Sequence, residues 1–166
     1  MGGIDIIPYD KSMEEEIQKY RLKDGQEMFV LHPKTAIDLC WGDEERQPFV
    51  LMISAKIVGF FILHSGEGVR PFSKQANAVL LRAFSIDALE QGKGYAKTIM
   101  RTLPSFVSSR YPDAKELVLA VNKKNNAARS LYEDAYFHFT GRSMDGRSGM
   151  QDIMVYQLRK NTKVRR

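Results

Sequence analysis

The run Gln91-Gly92-Lys93-Gly94-Tyr95-Ala96 lies between a near-continuous apolar stretch, Ala78 to Ile86, and a helical pattern that places Tyr95, Ile99, Leu103, Phe106 and Val107 on one stripe. A strand that feeds a helix through a glycine-rich turn fixes most of what can follow. The apolar stretch has to be covered on both faces, as a strand inside a mixed or parallel sheet is. The two glycines let the backbone approach a ligand closely, and the free N–H groups of the first helical turn point at whatever sits there. Such a site suits a phosphate.

Two common glycine-rich phosphate motifs do not fit. A Walker loop ending at Lys97-Thr98 would need glycines where Gln91 and Ala96 stand. A dinucleotide fingerprint starting at Gly92 would need a small residue where Lys97 stands, and no acidic residue ends an apolar strand about 20 residues on. The pattern that remains is Gln/Arg-x-x-Gly-x-Gly/Ala. A second stretch lies downstream: Val121 closes the apolar run Leu117 to Val121, and Asn125, Ala128, Leu131 and Tyr132 follow it with the spacing Asn-x-x-Ala-x-x-Leu-Tyr.

On these two stretches the chain resembles the GNAT family of acetyl-coenzyme A-dependent N-acetyltransferases. The resemblance covers roughly residues 48 to 158 and is strongest from 79 to 137. It implies acetyl-coenzyme A as the acetyl donor, with no metal. It also implies a small-molecule amine as acceptor, or alternatively a protein or peptide amine, and a monomer or homodimer. By resemblance the coenzyme's phosphates lie on Gln91, Gly92, Lys93, Gly94, Tyr95 and Ala96, and its pantetheine arm on the backbone of Phe84, Ser85 and Ile86. That segment should bulge and splay from the next strand to open a slot. Asn125 contacts the arm, and Tyr132 faces the sulfur as general acid. There are two departures: the family's usual Gly after the Tyr helix is Tyr136 here, and the last small residue of the turn is Ala96.

Each assignment also has a bland reading. Lys93 is a solvated lysine, Asn125 a helix cap, and Tyr132 a packed core tyrosine next to Leu131. A phenol of reference pKa near ~10 is nonetheless a suitable donor to a thiolate whose conjugate acid lies near ~8.5. His64, Glu67 and Asp87 are general-base candidates by residue type only. Acceptor specificity is expected from residues 22 to 41 and a loop at 141 to 150, with Phe29, Trp41, Arg142 and Arg147 as lining. An arginine pair there would suit an acidic group on the substrate.

Length and composition agree with one domain over residues 1 to 160 and a basic tail at 161 to 166. The 166 residues carry a formal net charge of +5, and five Lys/Arg fall within the last eight positions. A terminal basic run reads as a solvated tail, and no nucleic-acid motif accompanies it. No apolar run approaches the ~20 residues that span a bilayer, and no signal-peptide pattern opens the chain. One cysteine, Cys40, excludes an intrachain disulfide, and the three histidines have no zinc spacing. A cytoplasmic enzyme with no membrane or nucleic-acid partner is the expectation. A coenzyme A-binding module without catalysis is the alternative from a different class.

The element pattern is α/β: a single mixed, mostly antiparallel central sheet of about seven strands with helices on both faces. A strand at Gly3 to Ile7 leads to a helix capped by Ser12, with Glu15 completing a capping box. Phe29 to Leu31 reads as extended and Lys34 to Trp41 as helix. Phe49–Ile53 and Ile57–Leu63 form a hairpin, and Leu117–Val121 is a parallel neighbour of Ala78–Leu81. Pro104 should bend the helix after the glycine-rich turn or divide it. Tyr136–Thr140 and Ile153–Leu158 are the closing strands.

Overall fold

The computed structural model describes residues 3–158; the basic tail lies outside the described residues. Seven strands form one sheet in the order β1-β2-β3-β4-β5-β7-β6. They are β1 (Asp5–Pro8), β2 (Arg46–Ile53), β3 (Lys56–His64), β4 (Ala78–Ile86), β5 (Glu116–Asn122), β6 (His138–Gly146) and β7 (Gly149–Gln157). Every neighbouring pair is antiparallel except β4 and β5, which run parallel. The helices are α1 (Glu14–Gln18), α2 (Pro33–Asp38), α3 (Tyr95–Arg110) and α4 (Asn126–Asp134).

Strand alternation divides the core. Phe49, Leu51, Phe61, Leu63 and Leu81 point to one face, where Ile99 and Leu103 of α3 and Tyr132 of α4 cover them. Val50, Phe60 and Ile62 point to the other face, against Ile17 of α1, Ala36 of α2 and Tyr20. Fully burying one such Phe or Leu contributes roughly 1.5–3 kcal/mol, so the sheet is held from both sides. The stripe read from the sequence is the buried face of α3: Ile99, Leu103 and Val107 are at most 1% exposed. None of the described helices is long and apolar enough to cross a membrane.

Local chemistry explains where the elements differ from expectation. Asp10, not Ser12, caps the first helical turn, because its carboxylate accepts from the Ser12 N–H at 3.3 Å. Phe29 to Leu31 is not a strand. Gly25, at φ 88°, opens a tight 3-10 turn over Gln26–Met28, and the Phe29 and Val30 N–H groups close back on the Gln26 carbonyl. The helix expected to Trp41 ends at Asp38. Pro104 neither breaks nor divides α3; it sits buried inside a single helix.

The expected loop at 141 to 150 is instead the outer half of a hairpin. β6 and β7 pair up to Gly146↔Gly149, and Arg147-Ser148 form the two-residue tip. Gly141, at φ 85°, lies within the register shift between Phe139 and Ser143. It serves a β-bulge, so the strand bends there and continues.

Candidate active site

β4 and β5 pair only from Ala78↔Glu116 to Leu80↔Val118 and then separate. The cause is visible in β4. Its register against β3 slips between Phe60↔Ser85 and Ile62↔Arg82, one extra residue on β4, and Ala83 takes φ 55°. A bulge of this kind increases local twist and swings the strand away from its neighbour. Beyond Leu80, the β4 backbone on the β5 side has no strand partner, and neither does the facing backbone of β5. A parallel pair that opens in this way leaves N–H and C=O groups aimed into the gap. The gap is part of a cleft of about 1280 Å³.

The glycine-rich turn stands at one end of the cleft. Gly92 and Gly94 have φ 81° and 86°, the left-handed region that favours glycine, and a Cβ on either would meet no atom within 4 Å. Gly94 is the N-cap of α3. Among the described residues, no N–H from Gly92 to Lys97 donates to a backbone carbonyl; the first that does is that of Thr98, to Gly94. These free donors stand at the positive end of a 16-residue helix. The structure therefore presents an open anion cradle.

Beneath the turn is a group the sequence reading missed. Glu90 is 4% exposed and bridges Lys56 Nζ at 2.5 Å and Lys93 Nζ at 3.0 Å. The two lysine hydrogen bonds hold its carboxyl below the usual range. This latch ties the turn to the β2–β3 hairpin and draws the Lys93 side chain away from the cleft, where Lys97 takes its place among the lining residues. The Gln91 carboxamide donates to the Ile86 carbonyl at 2.9 Å, fixing the start of the turn to the end of β4.

Alternation sorts the β4 residues. Phe84 and Ile86 line the cleft, whereas the Ser85 hydroxyl shares a 2.8 Å hydrogen bond with buried Tyr20 on the far face. Tyr95, Ala96, Asn125 and Tyr132 line the cleft as well. Asn125 does cap α4, accepting from the Ala128 N–H at 3.2 Å. Tyr132 is 9% exposed, with its ring 5.8 Å from that of Phe137. Its hydroxyl has no hydrogen-bond partner among the described residues, and the side chain lines the cleft. Burial pushes the phenol pKa up, and the group keeps its proton at any working pH.

The base candidates by residue type are elsewhere. His64 is buried away from the cleft lining with Nδ1 unpartnered, and burial pushes its pKa down. Glu67 pairs with Arg70 at 3.3 Å. Asp87 accepts from the Leu89 and Arg21 N–H groups at 2.9 and 3.2 Å.

The expected specificity residues also divide. Phe29 and Arg147 line the cleft. Trp41 is 73% exposed and borders a separate cavity of about 390 Å³. Arg142 is spent on the Phe72 carbonyl at 3.0 Å and Arg147 on the Glu27 carbonyl at 3.2 Å. The Ser148 hydroxyl bonds the Met28 carbonyl, and Asn122 holds the Ser148 carbonyl at 3.1 Å. The hairpin tip thus bridges to the 26–28 turn and closes one side of the cleft.

Comparison with known proteins places this geometry. The sequence model of the acetyltransferase (GNAT) family matches residues 11–139. The chain is 39% identical over 156 residues to YbbJ of Bacillus subtilis (strain 168), named as an uncharacterized N-acetyltransferase, covering 93% of this chain and 98% of that protein. Among solved structures, aminoglycoside acetyltransferase AAC(6')-Ib in complex with coenzyme A and kanamycin superposes with a TM-score of 0.75 at 16% identity, over 93% of this chain and 95% of that one. Spermidine N-acetyltransferase from Vibrio cholerae, with coenzyme A and spermine, gives 0.69 at 16% identity with the same coverage. At such identity these two structures establish likeness of fold, while the family match and the Bacillus relative carry the sequence relationship. The chain belongs to the acetyltransferase (GNAT) family, enzymes that take their acetyl group from acetyl-coenzyme A.

Proposed function

We propose that the protein transfers the acetyl group of acetyl-coenzyme A to a primary amine of a small molecule. The observation that carries this reading is the continuity of one cleft, from the free amides of the 92–97 turn, through the gap between β4 and β5, to Tyr132. The turn holds the phosphates, with Lys97 reinforcing it. The exposed strand edges at Phe84–Ile86 receive the pantetheine amides as a sheet edge receives an added strand. Gln91 and Glu90 act indirectly, by fixing the turn.

Acetyl-coenzyme A supplies an activated thioester. In the transfer, the amine nitrogen bonds to the acyl carbon as the carbon–sulfur bond breaks. Tyr132 then delivers its proton to the departing sulfur, the amine loses one to solvent, and the Tyr132 phenolate takes one back from solvent to complete the turnover. Burial raises the pKa of the phenol, so it holds its proton until the basic thiolate departs.

The bridge between the hairpin tip and the 26–28 turn supports a small acceptor over a protein chain, because it closes a side that an extended peptide would need open. Kanamycin and spermine, in the structures of fold neighbours, are small amines too. The test is thiol release from acetyl-coenzyme A against a panel of small amines and peptides. Release driven by small amines supports the reading, and release driven by peptides alone replaces it with a peptide acetyltransferase. Binding of the coenzyme with no release would make the protein a coenzyme-binding module.

A further inference from the structure

Arg82, on the acceptor side of the cleft, has no acidic partner among the described residues. The register places Arg82 of β4 beside Ile62 and, one strand further, Pro48, on the sheet face away from α3 and α4. Its guanidinium is half-buried, with Cζ 5.7 Å from the centre of the Phe72 ring, and it lines the cleft. Among the described residues Arg82 forms no ion pair and no hydrogen bond. Burial first, and then another cation, Arg46 of β2, push the Arg82 pKa down, and Arg46 also lines the cleft. Arg46 is ion-paired through its buried Nε with Asp43 Oδ2 at 3.2 Å, without hydrogen-bond geometry. The acids on the cleft, Asp24, Glu90, Asp134 and Asp145, lie on other elements and do not offset Arg82.

A half-buried guanidinium that stacks on a ring but has no counter-ion is partly desolvated at a cost. The cost is recovered when a ligand brings an oxyanion, for which the planar fork of Arg is shaped. We infer that Arg82, with Arg46 beside it, anchors an anionic group of the acceptor, so that the substrate is an amine that also bears a carboxylate or phosphate. This rests on the acetyltransferase reading above and narrows it. A polycation such as spermine would meet repulsion at this position. The two arginines are also not the ones singled out from the sequence: Arg142 and Arg147 are occupied by backbone carbonyls, while Arg82 sits inside a strand that reads as apolar.

The test uses a ladder of ω-amino acids of increasing chain length, the matching unbranched alkylamines, the matching aminoalkyl phosphates, and spermidine. Each is assayed by thiol release and titrated calorimetrically into the protein saturated with coenzyme A. The wild type should favour one length of the anionic amines over its alkylamine, and the ratio of the carboxylate and phosphate arms identifies the anion. Arg82→Gln should raise KM for that amine by roughly 10- to 100-fold, as loss of a charged hydrogen bond does, with kcat within about threefold and acetyl-coenzyme A affinity unchanged. Arg82→Lys should recover part of the loss.

Equal or better use of alkylamines, spermidine or peptides by the wild type would overturn the anchor and leave the acetyltransferase reading standing. An unchanged KM in a folded Arg82→Gln protein would do the same. Anionic amines that bind in an Arg82-dependent way but are never acetylated would uphold the anchor and overturn the transfer reaction.

Discussion

Tyr132 and Tyr136 are four positions apart and illustrate two kinds of constraint on one residue type. Tyr132 packs its ring on Phe137 and lines the cleft. Tyr132→Phe keeps the ring and its packing, so stability and coenzyme affinity should hold, while turnover falls by roughly 10²- to 10⁴-fold where proton transfer limits the rate. Near-normal turnover under those conditions would return the residue to a packing role. Tyr136 is 74% exposed and held at φ 71°, a left-handed conformation unfavourable for a bulky residue. Tyr136→Gly removes about 1–2 kcal/mol of that strain and adds about 0.5–1 kcal/mol of unfolded-state entropy. A net gain of up to about 1.5 kcal/mol in urea unfolding follows, and a loss would show that the exposed ring contributes packing. At this scale the sequence was legible where spacing fixes a face, as at Asn125, which caps, and Tyr132, which reaches the cleft. It was not legible where a partner decides the direction. Lys93 turns away because Glu90 lies beneath it, and nothing in the order of residues shows that Glu90 is buried.

At the scale of elements, the β6–β7 hairpin reaches the cleft because a buried carboxylate secures its arm. Asp152 of β7 is 3% exposed and accepts from Lys123 Nζ at 2.6 Å, from Ser143 Oγ at 2.7 Å and from Arg129. Lys123 first, then Ser143 and Arg129, hold its pKa at about 2, against an ordinary 3.8. A carboxyl with a depressed folded pKa contributes stability that is fully present above its unfolded value and is lost as pH falls through its folded one. Asp152→Asn should therefore cost about 2 kcal/mol at neutral pH, below the usual figure for a broken buried pair because both cations keep some solvent. It should also flatten the loss of stability between about pH 4 and 2. Thermal unfolding of both proteins over that range checks it, and parallel curves would remove Asp152 from the account. The hairpin's length was hidden in the sequence because Gly141, Gly146 and Gly149 read as a loop. In the fold one serves a bulge and two flank a two-residue tip, uses that depend on pairing with a distant strand.

For the molecule as a whole, the apolar runs made the parallel pairing of β4 with β5 and the crossover through α3 readable, since a strand-turn-helix-strand order has few solutions. The residues did not indicate that β7 inserts between β5 and β6; the splaying of β4 from β5 was implied by the family resemblance alone, and the structure puts it after Leu80. Those features arise from a bulge at Ala83 and from long-range pairing, and together they make the cleft. The same packing sets the charge of the two ends. Free amides of α3 stand at one end, and Arg82, on a strand that otherwise reads as apolar, at the other. The bulge determines how that second end is built, since the extra residue lets Arg82 and Ser85 project to the same face.

The proposed seat of acetyl-coenzyme A at the 92–97 turn is tested by calorimetric titration of acetyl-coenzyme A into the wild type and into Gly94→Asp. The new carboxylate stands among the free amides and faces the incoming phosphates. The left-handed backbone at φ 86° costs the variant about 1–2 kcal/mol, so circular dichroism should first show it folded. Saturable one-to-one binding to the wild type, with at least a 100-fold loss (about 2.7 kcal/mol) in the folded variant, is the predicted result. Equal affinity for both proteins would contradict the account.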